Sequence, residues 1–571
     1  MAHSVFALPA VILVTLVTIA IATYGVRVAR TTSDFLVASR TISPSWNAAA
    51  ISGEYLSAAS FLGIAGLVMK SGVSVLWYPV GFAAGYLALL LFVAAPLRRS
   101  GAFTLPDFAE ARLGSPVVRR LATVFVVVIG WLYLVPQFQG AGLTLGTVTG
   151  APYWAGALLV AVVVVGNVAS GGMRSITFVQ AFQYWLKLTA IAFPVAFLLL
   201  HWNSDGRPQL GPPSVPQFGS ETTVRIDEPV SIQVDDLVVV RIHGTADGHP
   251  ADGELTLGSG RHTLAAHTTV TFPAGSAVPH VSGLQPLTGG AWLTPPTADH
   301  ELFATYSLIL ATFLGTMGLP HVLVRFYTNP DGRAARRTTL VVLALLGGFY
   351  LFPALYGVLG RVYAPQLLMT GNTDAVVLVL PGAAVGGVAG QLLGALVAAG
   401  AFAAFLSTAS GLLVSVAGVL STDVLGRGSV RSFRRSALVA GVVPLVAALQ
   451  VTGLDVSQVV GLAFAVAAST FCPLLMLGIW WRGLTAAGAA AGLVTGGGAA
   501  LAAILVAVFG PDLTGWPATL VAQPAAWSVP LAFAAMVLVS LCTSGRTPSS
   551  VPAIMLRLHA PEALRLHPPT D

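Results

Sequence analysis

Two adjacent hydroxyls, Ser407 and Thr408, sit in an otherwise apolar run, AGAFAAFLSTASGLLVSVAGVLSTDVL, from Ala399 to Leu425. Ala404 lies one helical turn before Ser407, on the same face. A second run, ISGEYLSAASFLGIAG from Ile51 to Gly66, carries Glu54, hydroxyls at Ser52, Ser57 and Ser60, and glycines at Gly53, Gly63 and Gly66. A backbone group left without a partner in hydrocarbon is costly, so a helix is broken there only where something uses the freed carbonyls. If the helix breaks at Gly53, the carbonyls of Gly53 and Leu56 can point at a small cation. With the Ala404 carbonyl and the two hydroxyls they make a shell of five neutral oxygens. Such a shell suits a monovalent cation that must bind and also leave. Two plainer readings compete: close helix packing through small residues, and hydroxyls that bond back to their own helix.

A third stretch, LATFLGTMGLPHVLVRFYTNPDGRAARR from Leu310 to Arg337, has Gly315, Gly318 and Pro320 to break it early, with Phe313 and Thr316 close by. Other polar residues lie at similar depth. Glu54 reads as a proton carrier or a structural partner, and Lys187 as a structural residue that is interior or snorkelling. Gln137 and Gln139 read as interior hydrogen-bonders, and Asp34 and Asp423 as capping or gating charges near the cytoplasmic ends. Cys472 and Cys542 read as buried thiols.

The elements that must position these residues follow from composition. The chain has 571 residues, 55% hydrophobic and 9% charged, against about 25% charged in soluble domains. That points to a polytopic membrane protein, with the lipid bilayer as its main partner. The net charge of +6 is no sign of nucleic-acid binding, because cationic residues gather in cytoplasmic loops for topological reasons. Apolar runs fall near 6–28, 46–69, 74–97, 119–148, 151–170, 178–200, 301–319, 338–363, 385–422, 434–451, 456–480, 484–509 and 526–543, giving 13 expected spans. The first has its arginines after the apolar stretch, which reads as a span and not a cleaved signal peptide. The run at 385–422 exceeds one crossing and is expected to begin as an external helical segment. The loops after odd-numbered spans hold 21 of the 28 basic residues, Arg325 among them, so the N-terminus is expected outside and the C-terminus in the cytoplasm.

Residues 201–300 do not fit a membrane. They are polar, with apolar residues alternating at Val224/Ile226 and Val230/Ile232/Val234, a period that argues short β-strands. They also hold seven of the eleven histidines, scattered with no tight ligand spacing. The interrupted spans, two and seven, are five spans apart. Two inverted repeats of five spans would put each break in the first helix of its repeat, the pattern of a secondary transporter with a mid-membrane site.

Here the residues carry a resemblance. SDFLVASRTISPSWNAAAISGEYLSAASFLGIAG, GGMRSITFVQ, GLPHVLVRFYT and FLSTASGLLVSVAGVLSTDVL together resemble the sodium:solute symporter family, in its cation/acetate (monocarboxylate) permease branch. The resemblance implies an all-α fold of the leucine-transporter type, a 5+5 inverted repeat in about 13 transmembrane helices, with a small external β-rich insertion. It implies a first extra helix in 1–30, a first repeat in 46–200, the insertion in 201–300, a second repeat in 301–480, two further helices in 484–543 and a cytoplasmic tail in 544–571. Na+ as coupling ion falls on Gly53, Leu56, Ala404, Ser407 and Thr408, the positions also reached from spacing. Gln180 stands where several members carry an aspartate linked to a second sodium, which argues for one cation per cycle. The substrate positions, Tyr55, Ser57, Ser60, Phe313 and Thr316, make a small, mostly apolar pocket that suits a small carboxylate substrate more than a sugar.

The expected function is cation-coupled symport of a short monocarboxylate such as acetate, propionate or pyruvate by alternating access at the plasma (inner) membrane. No cofactor beyond the coupling ion is implied, and neutral oxygens leave H+ open as the alternative to Na+. The rival classes are a transporter-like sensor, a membrane enzyme and a channel. An enzyme would need an acid–base or metal constellation, and no paired carboxylates or histidine cluster appear in the spans.

Overall fold

The computed structural model describes residues 5–28, 42–210, 215–226, 228–281, 289–294, 299–426, 429–450, 456–511 and 513–560. Asp34, Arg30 and Arg40 lie outside the described residues. Eleven described helices are long and apolar enough to cross a membrane. Two of these are each two spans in series, because Gly72 (φ 76°) and Gly172 (φ 58°, ψ −160°) turn the chain inside them. Both glycines take a backbone conformation that other residues adopt only at a cost.

In chain order the spans are Ala7–Val28 (one); Pro44–Tyr55 with Ile64–Ser71 (two); Trp77–Ala88 with Ala94–Arg99 (three); Pro116–Thr149 (four); and Tyr153–Ser204, divided at Gly172 into spans five and six. Then follow Asp299–Gly318 with Pro320–Val324 (seven), Gly332–Tyr363 (eight), Gly387–Val419 (nine), Val430–Gln450 (ten), Val456–Trp480 (eleven), Ala486–Gly492 with Gly498–Phe509 (twelve) and Ala525–Cys542 (thirteen). Span nine is one helix of 33 residues, about 50 Å at 1.5 Å per residue. The separate helical piece expected at its start lies earlier, at Val376–Ala384, and the two are parted by Gly386 and Gly387 at positive φ. Cys472 is buried, but Cys542 ends span thirteen facing outward, contrary to expectation.

Span nine is the axis of the bundle, buried along most of its length against spans six, four, one and two. Small residues permit this close approach. A Cβ on Gly400 would lie 2.3 Å from Ala190 Cβ of span six, and one on Gly411 would lie 2.0 Å from a carboxylate oxygen of Glu54.

Between spans six and seven the described residues form a seven-stranded antiparallel sheet of β1 (Thr222–Arg225), β2 (Val230–Val234), β3 (Val238–Ala246), β4 (His249–Leu257), β5 (Gly260–Leu264), β6 (Thr269–Phe272) and β7 (His280–Val281), in the order β1-β6-β3-β5-β2-β7 with β4 paired to β3. The alternation expected from sequence is present: Val224, Ile226, Ile232 and Val234 are buried. β3 (Val238–Ala246) and β4 (His249–Leu257) turn through Asp247 and Gly248, both at positive φ, as a tight hairpin turn requires. The segment after the sheet returns to the bundle. The Trp292 indole donates to the Val68 carbonyl at 2.8 Å, under the Arg361 guanidinium 4.9 Å from its ring centre.

Candidate functional site

The site begins where span two stops. Its first helix ends at Tyr55, and Leu56 (ψ 84°) leaves the helical path. The break therefore falls just after Gly53 and not on it. Several backbone groups freed there find partners in other spans, as burial favours. The Ala58 N–H, which would have met the Glu54 carbonyl, donates instead to Gln137 Oε1 at 3.0 Å. The Glu54 carbonyl accepts from Thr408 Oγ1 at 2.5 Å. The Ser407 hydroxyl lies 2.7 Å from the Gly53 carbonyl and 3.1 Å from that of Ala404. Span nine thus brings its two hydroxyls to the broken end of span two, and all five expected cation-site residues meet.

The sequence reading missed what else stands there. The Lys187 ammonium, from span six, donates to the Gly53 carbonyl, to the Leu56 carbonyl at 2.8 Å, and to Ser407 Oγ. Lys187 is wholly buried. It is neither snorkelling nor a mere packing residue; it holds the oxygens expected to hold a free cation. The available signal was a polar stripe on span six, with Gln180 and Lys187 seven residues apart and so on one face.

Glu54 faces the other way. Its Oε2 accepts from Arg325 Nε at 2.7 Å and lies 3.4 Å from Gln180 Nε2. Arg325 also donates to Thr177 Oγ1 at 2.8 Å and to Gln180 Oε1. Gln180 in turn donates to the Ser407 carbonyl at 2.7 Å. Arg325 was assigned to a cytoplasmic loop from the charge count. It is instead fully buried just beyond the break of span seven, where Leu319 (ψ 114°) interrupts the helix and Pro320 supplies no N–H.

Above this knot is an aromatic cluster. The Tyr55 ring meets Phe82 at 5.6 Å and Tyr86 at 4.8 Å, and Phe82 meets Phe464 at 5.0 Å, all centre to centre. Tyr55 and Thr316 share a hydrogen bond of 2.8 Å, so the breaks of spans two and seven face each other. Ser60 reaches Tyr350 at 2.9 Å, and Ser57 accepts from Tyr133 at 3.2 Å. Phe313 is half-buried beside them, its carbonyl against Gly85 of span three. Gln137, besides serving Ala58, donates to the Tyr133 carbonyl at 3.2 Å.

A cavity of about 210 Å³ lies below, lined by Thr104, Asp107, Val126, Met173, Pro320, Val324, Ser415 and Thr422 among others. His321 lines a smaller void that shares Val126, Pro320 and Ser415 with it. Its ring makes no hydrogen bond within the described residues. The cavity is bordered by an ionic cluster in which Arg119 contacts Asp423 at 2.6 Å, Glu110 at 2.5 Å and Asp107 at 2.8 Å. Asp423 thereby ties the end of span nine to the start of span four.

The family model described as "Sodium:solute symporter family" matches residues 35–205 and 274–496. The chain belongs to the sodium:solute symporter family. It is a multi-pass membrane solute symporter by that membership. The match breaks off over the stretch that holds most of the sheet. Over 549 residues the chain is 27% identical to an uncharacterized symporter, YwcA, of Bacillus subtilis (strain 168), covering 93% of each. It is 29% identical to a monocarboxylic acid transporter of Corynebacterium glutamicum, over 90% of this chain and 87% of that protein. A Na+-coupled sialic acid symporter in a substrate-bound outward-open state superposes with a TM-score of 0.60 at 14% identity, covering 94% of this chain and 98% of that one. That likeness carries the fold alone, a leucine-transporter-type helical bundle, which the described residues of this chain build from eleven long apolar helices, two of them divided at Gly72 and Gly172.

Proposed function

We propose that this symporter takes up a short-chain monocarboxylate, such as acetate, propionate or pyruvate, together with a monovalent cation by alternating access. The observation that carries the reading is the meeting of two helix breaks, with Tyr55 and Thr316 in direct contact at 2.8 Å, beside an oxygen cage built by spans two and nine. The relative named as a monocarboxylic acid transporter supports the substrate class. Tyr55, Ser57, Ser60, Phe313 and Thr316 are the proposed substrate residues. Their few hydroxyls among aromatic rings suit a carboxylate on a short apolar body. The proposed coupling site is Gly53, Leu56, Ala404, Ser407 and Thr408. Positive charge in that cage ties span two to span nine and completes the pocket, so charge and substrate strengthen each other's binding reciprocally.

The cavity below the site supports an inward path, closed at its rim by the Arg119–Asp423 cluster. The basic loops after odd-numbered spans support an N-terminus outside and a C-terminus in the cytoplasm of a plasma-membrane carrier. On that orientation the sheet is extracellular, between repeats at 46–200 and 301–480. The family description favours Na+ as the coupling ion; the occupant of the cage favours H+. Uptake of labelled acetate, propionate and pyruvate into proteoliposomes tests the reading. Accumulation above the external concentration of at least one acid is expected. Equilibration without accumulation would mean a channel, and no uptake of any of them would end the monocarboxylate assignment.

A further inference from the structure

The cage that the fold and sequence reserve for a free ion already holds a cation of the chain's own. We propose that the Lys187 ammonium is the resident cation of this site and that it excludes sodium from it. The inference deepens the coupling-site reading above and rests on it.

Geometry carries the assignment. An ammonium has three N–H donors and no acceptor. Lys187 Nζ has three oxygens to receive them: the Gly53 carbonyl, the Leu56 carbonyl at 2.8 Å, and Ser407 Oγ. Every donor is used, and each partner is one of the oxygens that a sodium shell would need. The remaining two are also committed: Thr408 Oγ1 donates to the Glu54 carbonyl, and the Ala404 carbonyl faces the Ser407 hydroxyl. Sodium entering here would have to displace an ammonium that is tethered to span six and cannot diffuse away.

Charge points the same way. The oxygens around Lys187 are neutral, the company in which a monovalent ion is held. Glu54, the nearest carboxylate, has its Oε2 bonded to Arg325 and directed at Gln180, away from the cage. Arg325 is the ion-pair partner of Glu54 at 2.7 Å, and Lys187 is bonded to neutral oxygens. Span nine brings no titratable side chain along Gly387–Val419. From span eight the Tyr356 phenol donates to the Ile191 carbonyl and the Tyr350 phenol pairs with Ser60, neither of them to the cage. A second cation beside Lys187 would meet repulsion in a medium that screens poorly, and the neighbouring carboxylate of Glu54 is already paired with Arg325.

The consequence concerns coupling. In a sodium-filled cage the tie between spans two and nine is made and undone as the ion enters and leaves. Here the tie is covalently anchored to a third span and does not depend on external sodium. The gradient that drives accumulation is then one other than sodium, and the proton gradient is the alternative that an acid-transport assay reads directly. Lys187 is a positioning residue in this scheme: it touches the broken backbone and not the substrate pocket.

Two measurements test it on the full-length chain. The first is the melting temperature of purified protein in sodium chloride against choline chloride at equal ionic strength. Wild type is expected to melt at the same temperature in both, and Lys187→Ala to melt lower in choline and to gain a sodium-specific rise. A sodium-specific rise in wild type overturns the proposal, as does a folded Lys187→Ala protein indifferent to sodium. The second keeps the question open to refutation should Lys187→Ala fail to fold. Wild-type proteoliposomes are given a sodium gradient at matched pH, or a proton gradient without sodium, and labelled acetate, propionate and pyruvate are followed. Accumulation under the proton gradient alone is expected; accumulation driven by sodium alone overturns the proposal. Failure to take up any acid under either gradient refutes the substrate assignment instead, and the melting result then decides the occupant of the cage.

Discussion

Arg325 Nε stands 2.7 Å from Glu54 Oε2, joining residues 271 positions apart in the chain, both almost wholly buried. Each lies beside the break of the first helix of its repeat. The pair therefore fastens the two breaks to each other, and Gln180 extends the fastening to the Ser407 carbonyl of span nine. Removing one member of a buried ion pair strands the other charge and costs about 3–5 kcal/mol. Glu54→Gln and Arg325→Met are each expected to lower the melting temperature sharply and to abolish transport. The double variant Glu54→Gln/Arg325→Met leaves no stranded charge and is expected to regain most of the lost stability. A double-mutant cycle on melting temperature in detergent checks this. Additive losses would mean that the pair is not coupled.

Two glycines make this arrangement possible by having no side chain. A Cβ on Gly411 would come 2.0 Å from Glu54 Oε1, and one on Gly53 would come 2.3 Å from the backbone carbonyl oxygen of Gln180. The first clash moves the end of a side chain already held by Arg325; the second requires spans two and six to part. Gly411→Ala is expected to cost about 1–3 kcal/mol, as overpacking does, with transport impaired. Gly53→Ala, which pushes on backbone, is expected to cost more. Thermal melts of the two variants side by side measure the order, and Gly53→Ala tolerated better than Gly411→Ala would refute it.

Much of this was legible in the sequence for a simple reason. A helix break in hydrocarbon needs Gly, Pro or polar residues near it, so Gly53, Gly318 and Pro320 gave away spans two and seven, and paired hydroxyls gave away span nine. What remained hidden was partnership. Lys187 read alone is one cation in an apolar run, and nothing local says that its three donors end on the oxygens of Gly53, Leu56 and Ser407. Arg325 was misplaced because counting basic residues by loop takes each arginine after a span as solvated. The break at Leu319 lets the chain turn back into the bundle before it leaves. The strands in 201–300 were legible from their alternation, but the order β1-β6-β3-β5-β2-β7 depends on long-range pairing that no local pattern encodes.

The sheet contains a pH-dependent contact. His262 Nδ1 lies 2.7 Å from Asp247 Oδ2, and its Nε2 lies 2.9 Å from the Gly258 carbonyl. Only the imidazolium can donate to both. Burial opposes the charge on His262, yet Asp247 and the Gly258 carbonyl outweigh it and hold the group above its ordinary value. Burial likewise opposes the charge on Asp247, but the bonds from His262 and the Thr263 N–H hold it below its ordinary value. The His262 contribution is complete below its unfolded value, about 6.5, and is lost as pH rises through the higher folded one. The Asp247 contribution is complete above about 3.9 and is lost as pH falls through the lower folded one. The hairpin of β3 and β4 is thus expected to be most protected between about pH 4 and 6.5. Hydrogen exchange of the full-length chain, corrected for intrinsic rates, should show protection of this hairpin falling as pH rises above about 6.5. His262→Gln should flatten that profile, and an unchanged profile in the variant would assign the dependence elsewhere.

The Tyr55–Thr316 bond offers the most direct probe of the substrate pocket. Thr316 Oγ1 has its own acceptor in the Thr312 carbonyl at 2.7 Å, so it receives the Tyr55 proton at 2.8 Å and needs no donor role toward it. Tyr55→Phe keeps the ring, and with it the edge contacts to Phe82 and Tyr86, while removing one hydroxyl. The variant is therefore expected to fold and melt within about 1 kcal/mol of wild type. Its KM for the transported acid should rise about tenfold, the value of one net hydrogen bond of about 1.4 kcal/mol at the upper end of the usual range. Thr316→Ala strands the Tyr55 hydroxyl in an aromatic wall and should cost more in both stability and KM. Initial rates of labelled acetate, propionate and pyruvate uptake across a concentration series separate KM from maximal rate. If both variants kept the wild-type KM for every acid transported, Tyr55 and Thr316 would be a structural strut between the two breaks, and the substrate would have to bind lower, toward the cavity beside His321.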